Sequence, residues 1–306
     1  MVAVPNFVLA GLAAAFAWAA VLLLKSRREG GCGRFLPALR ASDLGTVAFW
    51  SDSARMVLAW WIVFTAHFLV KISIHLLNPA VFDPLLWRYD RWLCLGWDPV
   101  PGILKIVTAA SALRALDLIY STIYPLTFIV FPPLLMVLGR TRSDRVRFMT
   151  AFILVWLTGG ILYVAFPSWG PVFTKTALFE NTLPHMPHTV GVQRELYVEL
   201  KAVLETPMGP RPYRYGGVAA FPSLHLALMT LYTLAAWRVS RGWGVLTALF
   251  TAAMFVGSMV TGYHYFTDSV AGAVLGAVLF YLAGRWTGWS LGDPPPAVSG
   301  GKDGPE

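Results

Sequence analysis

Charge is what this sequence has least of. Only 13% of its 306 residues are Asp, Glu, Lys or Arg, while 57% are hydrophobic. An ordinary soluble domain carries about 25% charged residues. So few charges cannot cover a water-soluble globule, and the chain reads as an all-α integral membrane protein. Cysteine is nearly absent as well: Cys32 and Cys94 are the only two, which excludes a disulfide framework and zinc-ribbon spacing. Acidic residues are the scarcer charge, leaving a net +8. That excess suggests a nucleic-acid partner only until the charges are located along the chain.

What is present is a series of long apolar runs with arginines between them. The pattern predicts about seven transmembrane helices. Residues 1–24 carry no charged side chain and are followed by Lys25, Arg27 and Arg28. A signal peptide would carry its positive charge first, so the order favours an N-terminal span ending in the cytoplasm. Residues 25–55 read as a cytoplasmic loop, and 56–286 as one membrane-embedded domain. Its spans fall at about 56–77, 118–139, 148–166, 223–237, 243–260 and 264–284. Lys71 lies near the outer end of the first of these, where a lysine snorkels toward headgroups; contact with a lipid phosphate is the alternative. Residues 78–117 mix Trp87, Tyr89, Trp92 and Trp97 with charges and read as an interfacial segment. Pro125, Pro132 and Pro133 are expected to bend the span at 118–139. Residues 168–220 form a long polar outer loop with a short helix over 195–204. The Pro- and Gly-rich stretch 287–306 reads as a disordered cytoplasmic tail.

With the N-terminus outside, the cytoplasmic segments hold 14 of the 24 Lys/Arg against 7 Asp/Glu, and the outer segments 10 against 9. The charge excess therefore marks topology, as basic residues favour the cytoplasmic side, and no nucleic-acid partner is expected. The same topology puts two histidine segments, Phe221-Pro-Ser-Leu-His225 and Thr261-Gly-Tyr-His-Tyr-Phe-Thr-Asp268, at the outer ends of their spans. A histidine beside a long apolar run is costly unless hydrated, paired or used. Asp268 follows His264 by four residues, a spacing that on a helix shares one face and lets a carboxylate fix an imidazole tautomer. His264 is then the expected nucleophile, Asp268 its partner, and His225 the general acid/base. Ser223 is expected to cap a helix start, a natural phosphate site, or simply to cap it. No metal or other cofactor is called for; His185 and His188 are the alternative, but they lack a nearby carboxylate pair. Gly272 and Gly276 form a G-x-x-x-G face for close helix packing, within one chain or between chains.

These segments resemble the second and third signature motifs of the type 2 phosphatidic acid phosphatase superfamily, most of all its inositol phosphorylceramide synthase branch. Asp90, Gly96-Trp-Asp98-Pro99, Tyr120, Tyr124 and Phe166-Pro-Ser-Trp-Gly-Pro171 are similar to that branch too, so the likeness spans roughly 85–285. It implies a six-helix lipid-phosphatase-like core, here with an added N-terminal span, and the same roles for His264, Asp268 and His225. Two positions depart from the pattern. Leu204 stands where the first motif has Lys, ahead of Arg211-Pro212, and Ser258 where the third motif has Arg. Arg211 and Arg214 are the candidates to meet phosphate charge; ordinary loop charge is their other reading.

The expected activity is transfer of a phosphoryl or phospho-headgroup from a lipid phosphate donor to an alcohol acceptor at the extracytoplasmic face. Hydrolysis of a lipid phosphate or polyprenyl diphosphate is the alternative, and a transporter or non-catalytic scaffold the different class. The implied partners are a lipid phosphate or phospholipid donor, a lipid alcohol acceptor and membrane lipids.

Overall fold

A computed structural model of the protein describes residues 46–138, 141–206 and 217–287. The expected N-terminal span 1–24, residues 25–45 of the expected loop, nearly all of the 287–306 tail, and both Arg211 and Arg214 lie outside the described residues. Every regular element among the described residues is helical. In chain order these are α1 (Val47–Leu77), α2 (Asp83–Leu93), α3 (Pro99–Ile106), α4 (Ala110–Leu118), a π-turn (Ile119–Ile123), α5 (Tyr124–Leu138), α6 (Arg142–Ala165), the single turn α7 (Pro171–Thr174), α8 (Pro187–Glu205), α9 (Leu224–Val239), α10 (Arg241–Val260) and α11 (Phe266–Trp286).

Four of the long helices start on a hydroxyl. Thr46, Thr141, Ser223 and Ser240 accept N–H bonds from Phe49, Asp144, Leu226 and Trp243. Each satisfies one of the donors that a helix start leaves open. Helices α1, α6, α10 and α11 are long and apolar enough to cross a membrane. The run from α4 through α5 is apolar enough as well but bent by 52°, the form of a broken span or a re-entrant loop. It begins at Ala110, ahead of the expected 118, so Arg114 and Asp117 belong to it. Pro125 has no N–H and crowds the carbonyl of Ser121, and the π-turn shifts the hydrogen-bond register there. Pro133 removes the bond to the carbonyl of residue 129, where the axis breaks.

The expected span over 223–237 is α9, only 16 residues long. At about 1.5 Å per residue it reaches about 24 Å, short of a hydrocarbon core of about 30 Å. It is nonetheless the centre of the molecule. Leu226, Leu228, Met229, Leu231 and Tyr232 are wholly buried, enclosed by α6, α10 and α11. Two other expectations change. The second span begins at Val47, ahead of residue 56, and the outer loop contains α8, a 19-residue helix rather than the short one over 195–204. Helix α8 buries Thr189, Gln193, Leu196, Glu199, Leu200 and Val203 along one stripe, a helical period that its polar average conceals.

The two ends of the bundle differ. At one end Arg142 pairs with Asp52, Arg238 bonds Asp144 at 2.9 Å, and Arg147 lies over the ring of Phe280. At the other end α9 and α11 both begin, α1 and α6 both finish, and the histidines sit.

Helices α9 and α11 run parallel and touch backbone to backbone. A Cβ on Gly272 would collide with the carbonyl oxygen of Ser223, and one on Gly276 with that of Ala227. The G-x-x-x-G face is therefore used inside the chain. Because the obstacle is backbone, no side-chain rotation relieves it. Gly276→Ala is expected to lower stability by about 1–3 kcal/mol through overpacking, and Gly272→Ala also to shift Ser223 relative to Asp268. Unfolding midpoints in detergent check this; a midpoint equal to that of the native chain would contradict the close approach.

Candidate active site

The site is built by loops clamped together where α9 and α11 begin. The segment 167–172 forms the clamp. The Ser168 carbonyl accepts the N–H of Ala220 and its hydroxyl that of Phe221, both at 2.9 Å. The Val172 N–H donates to the Gly262 carbonyl at 2.9 Å. Gly170 has φ +98°, and a Cβ there would strike the backbone of Tyr263, so only glycine lets the clamp close. Ser223 N–H then donates to the carbonyl of Asp268 at 3.0 Å, which ties one histidine motif directly to the other.

Three carboxylates from the 83–118 region hold the ends in place. Asp83 accepts the N–H groups of Trp169 and Gly170 and the hydroxyl of Tyr265. Asp90 accepts the N–H groups of Phe266 and Thr267 and the Thr267 hydroxyl, capping α11 from outside. Asp117 does the same for α8, accepting the N–H groups of His188 and Thr189, the Thr189 hydroxyl and a bond from His188 Nδ1. Burial pushes the carboxyls of Asp83 and Asp90 up, and these donors oppose that shift. His188 is thereby engaged with Asp117, not paired with His185. The stretch 78–117 faces two ways: Trp92 and Leu95 are exposed while Asp83 and Asp90 are buried. Charged residues among tryptophans gave the sequence a sign of this, but not of which carboxylates point inward.

His225 and His264 meet. His225 Nδ1 lies 3.0 Å from His264 Nε2. His264 Nδ1 lies 2.9 Å from the carbonyl oxygen of Ala220, an acceptor only, so the ring must carry its proton on Nδ1. Its Nε2 is then a lone pair, and His225 Nδ1–H is the donor to it. Asp268 stands differently from expectation. His264 precedes α11 and is not on a shared helical face with it. Asp268 is the third residue of α11, and its Oδ2 accepts the Tyr265 N–H at 2.9 Å in a capping box. That oxygen is 3.6 Å from His264 Nδ1, so the backbone of Ala220 holds the tautomer more closely than the carboxylate does. Ser223 is fully buried and its hydroxyl caps α9.

The histidines border a cavity of about 310 Å³, at the small end of ligand-site volumes. Tyr120 and Tyr124 pack on the His225 ring at 4.9 and 4.7 Å between centroids. Lys71, Tyr163 and Trp156 complete the deeper wall, and Val192 and Leu196 of α8 close one side. Neither departing motif position reaches the cavity. Leu204 is exposed near the end of α8, and Ser258 is wholly buried, sharing a hydrogen bond with Ser269.

A family model described as the PAP2 superfamily matches residues 84–282, nearly two-thirds of the chain. The chain belongs to the PAP2 superfamily. PAP2 proteins are phosphatases or phosphotransferases acting on lipid phosphates, and this chain is a membrane enzyme of that kind. The matched stretch contains both histidine motifs, the clamp and two of the three carboxylates, Asp90 and Asp117; Asp83 stands just before it. No significant match is found among curated proteins or among solved structures.

Burial outweighs the Ala220 bond and holds the His264 imidazole far below its ordinary range, to about 3. A lowered value keeps the ring neutral, as a nucleophile needs. In protein labelled with ¹⁵N-histidine, His264 is expected to show a neutral, Nδ1-protonated ring down to about pH 5, below the ordinary histidine midpoint of about 6.5. A cationic ring at about pH 6 would contradict the assignment.

Proposed function

We propose that the protein transfers a phosphoryl or phospho-headgroup from a lipid phosphate donor to a lipid alcohol through a phosphohistidine. The observation that carries this reading is the orientation of His264. Its Nδ1–H is committed to Ala220, and its Nε2 lone pair meets His225 Nδ1, a group able to protonate a leaving oxygen. In the first step Nε2 attacks phosphorus. The N–P bond forms as the P–O bond to the leaving group breaks, and His225, entering this step doubly protonated, gives its Nδ1 proton to that oxygen and is left a neutral imidazole. In the second step the acceptor hydroxyl gives its proton to His225 and its oxygen attacks phosphorus. The N–P bond breaks, returning the lone pair to His264. Asp268 supports the positive charge that His264 gains in between. Ser223, at the α9 start, and Arg211 and Arg214 in the segment before it are the proposed phosphate-side groups.

Transfer is favoured over hydrolysis by two features. His264 is only 1% exposed within an aromatic cavity, which suits a lipid alcohol better than bulk water. The sequence also carries the motif forms of the inositol phosphorylceramide synthase branch. The extracytoplasmic placement of the site is supported by the arginines at the opposite end of the bundle.

The test uses the purified chain with headgroup-labelled phospholipids, including phosphatidylinositol, with and without diacylglycerol or ceramide. Label is expected in a new lipid only when the acceptor is present. Soluble headgroup phosphate formed without acceptor would establish a hydrolase instead. His264→Ala is expected to reduce either activity by at least about 10³-fold, and His225→Ala by about 10²–10⁴-fold. Full activity in His264→Ala would exclude it as the nucleophile.

A further inference from the structure

We infer that Lys71, from outside the superfamily's signature motifs, is a cation that binds the substrate phosphate, in addition to the arginines proposed above. The inference rests on the phosphoryl-transfer reading of this cavity. A phosphate needs opposing charge, and the two motif positions that would supply it hold Leu204, exposed on α8, and Ser258, buried away from the cavity. Among the described residues lining the cavity, Lys71 is the only lysine or arginine. It lies about four-fifths of the way along α1, inside a helix long enough to span a membrane. An ionisable side chain there is costly and marks a functional position by default.

Its surroundings are arranged rather than incidental. The chain leading into the first histidine motif runs over the backbone of Lys71. Gly217, at φ +79°, has room for a Cβ only 3.2 Å from the Lys71 carbonyl oxygen. The Gly217 N–H in turn donates to Glu199 Oε2 at 2.9 Å. Glu199 is buried on α8. Lys71 shares the cavity wall with both His225 and His264. A second observation points to a ligand: Tyr120 lines the same cavity with its ring packed on His225, and its buried hydroxyl has no hydrogen-bond partner among the described residues. An ammonium and an unused phenol hydroxyl on residues of one cavity wall form a donor set for phosphate oxygens.

The probe is inorganic phosphate, titrated calorimetrically into the full chain in detergent. Lys71→Met is expected to weaken binding by at least about tenfold, Lys71→Arg to stay within a few-fold of the native chain, and His264→Ala to retain binding. Lys71→Gln repeats the test should Lys71→Met not stay monodisperse. Equal binding by the native chain and both neutral variants would overturn the inference, as would no binding by the native chain. Trapping of ³²P from a labelled lipid on His264 reads the nucleophile separately. Phosphohistidine formed with unchanged KM in Lys71→Met would remove Lys71 and leave the mechanism. Phosphate binding lost in Lys71→Met, with no label ever trapped on His264, would support Lys71 and remove the nucleophile.

Discussion

The hydrogen bond from His264 Nδ1 to the carbonyl of Ala220 is the contact on which the site depends. It spans 44 residues of sequence and does two things at once. It selects the tautomer that leaves Nε2 as a lone pair, and it fixes the second histidine motif to the chain that introduces the first. A backbone carbonyl suits this task because it cannot be protonated. The tautomer is therefore held across pH, whereas a carboxylate partner would loosen once protonated. Asp268, at 3.6 Å, is left to balance charge when it develops.

That contact requires Ala220 and His264 to be placed by something stiffer than loops. Here the clamp at 167–172 and the carboxylates of Asp83 and Asp90 act together. Each carboxylate gives up water and is repaid by two backbone N–H groups and a hydroxyl. The arrangement is more specific than an apolar contact would be, since shifting α11 by one residue would leave Asp90 buried without donors. The glycine contacts at Gly272 and Gly276 complete the frame. They set the separation of α9 and α11 by backbone contact, which has no rotamers to absorb error.

The sequence made most of the frame legible, and physics explains the remainder. Apolar runs bounded by arginine located α1, α6, α10 and α11, because burial in lipid demands length and composition that nothing else explains. The sequence shows only a short stretch of helix α8, since its apolar residues form one stripe among charges. It conceals the start of the run over 110–138, because Arg114 and Asp117 look like the end of an interface, yet Asp117 is turned inward to cap α8. His225 and His264 were brought together by topology alone, and they lie 3.0 Å apart. The helical face shared by His264 and Asp268 was an error of register: spacing of four implies a common face only when both residues are on the helix, and α11 begins after His264. Lys71 was identified, but snorkelling and ligand binding leave the same mark on a sequence. Only the cavity wall separates them.

The two histidines hydrogen-bonded to each other have a further consequence. While His225 donates to His264 Nε2, the lone pair proposed to attack phosphorus is occupied and the donor proposed for the leaving oxygen is turned away from it. A phosphate held in the cavity reaches Nε2 only when the rings part, which exchanges one buried hydrogen bond for contacts to phosphate oxygens. On the proposed reading, binding energy from the lipid chain in the aromatic cavity drives that exchange. Water alone cannot do so, because it brings no chain to bury. The stacking of Tyr120 and Tyr124 on His225 then serves two states. It supports the ring at rest and, on the same reading, provides the apolar surface along which it turns as the lipid opens the pair.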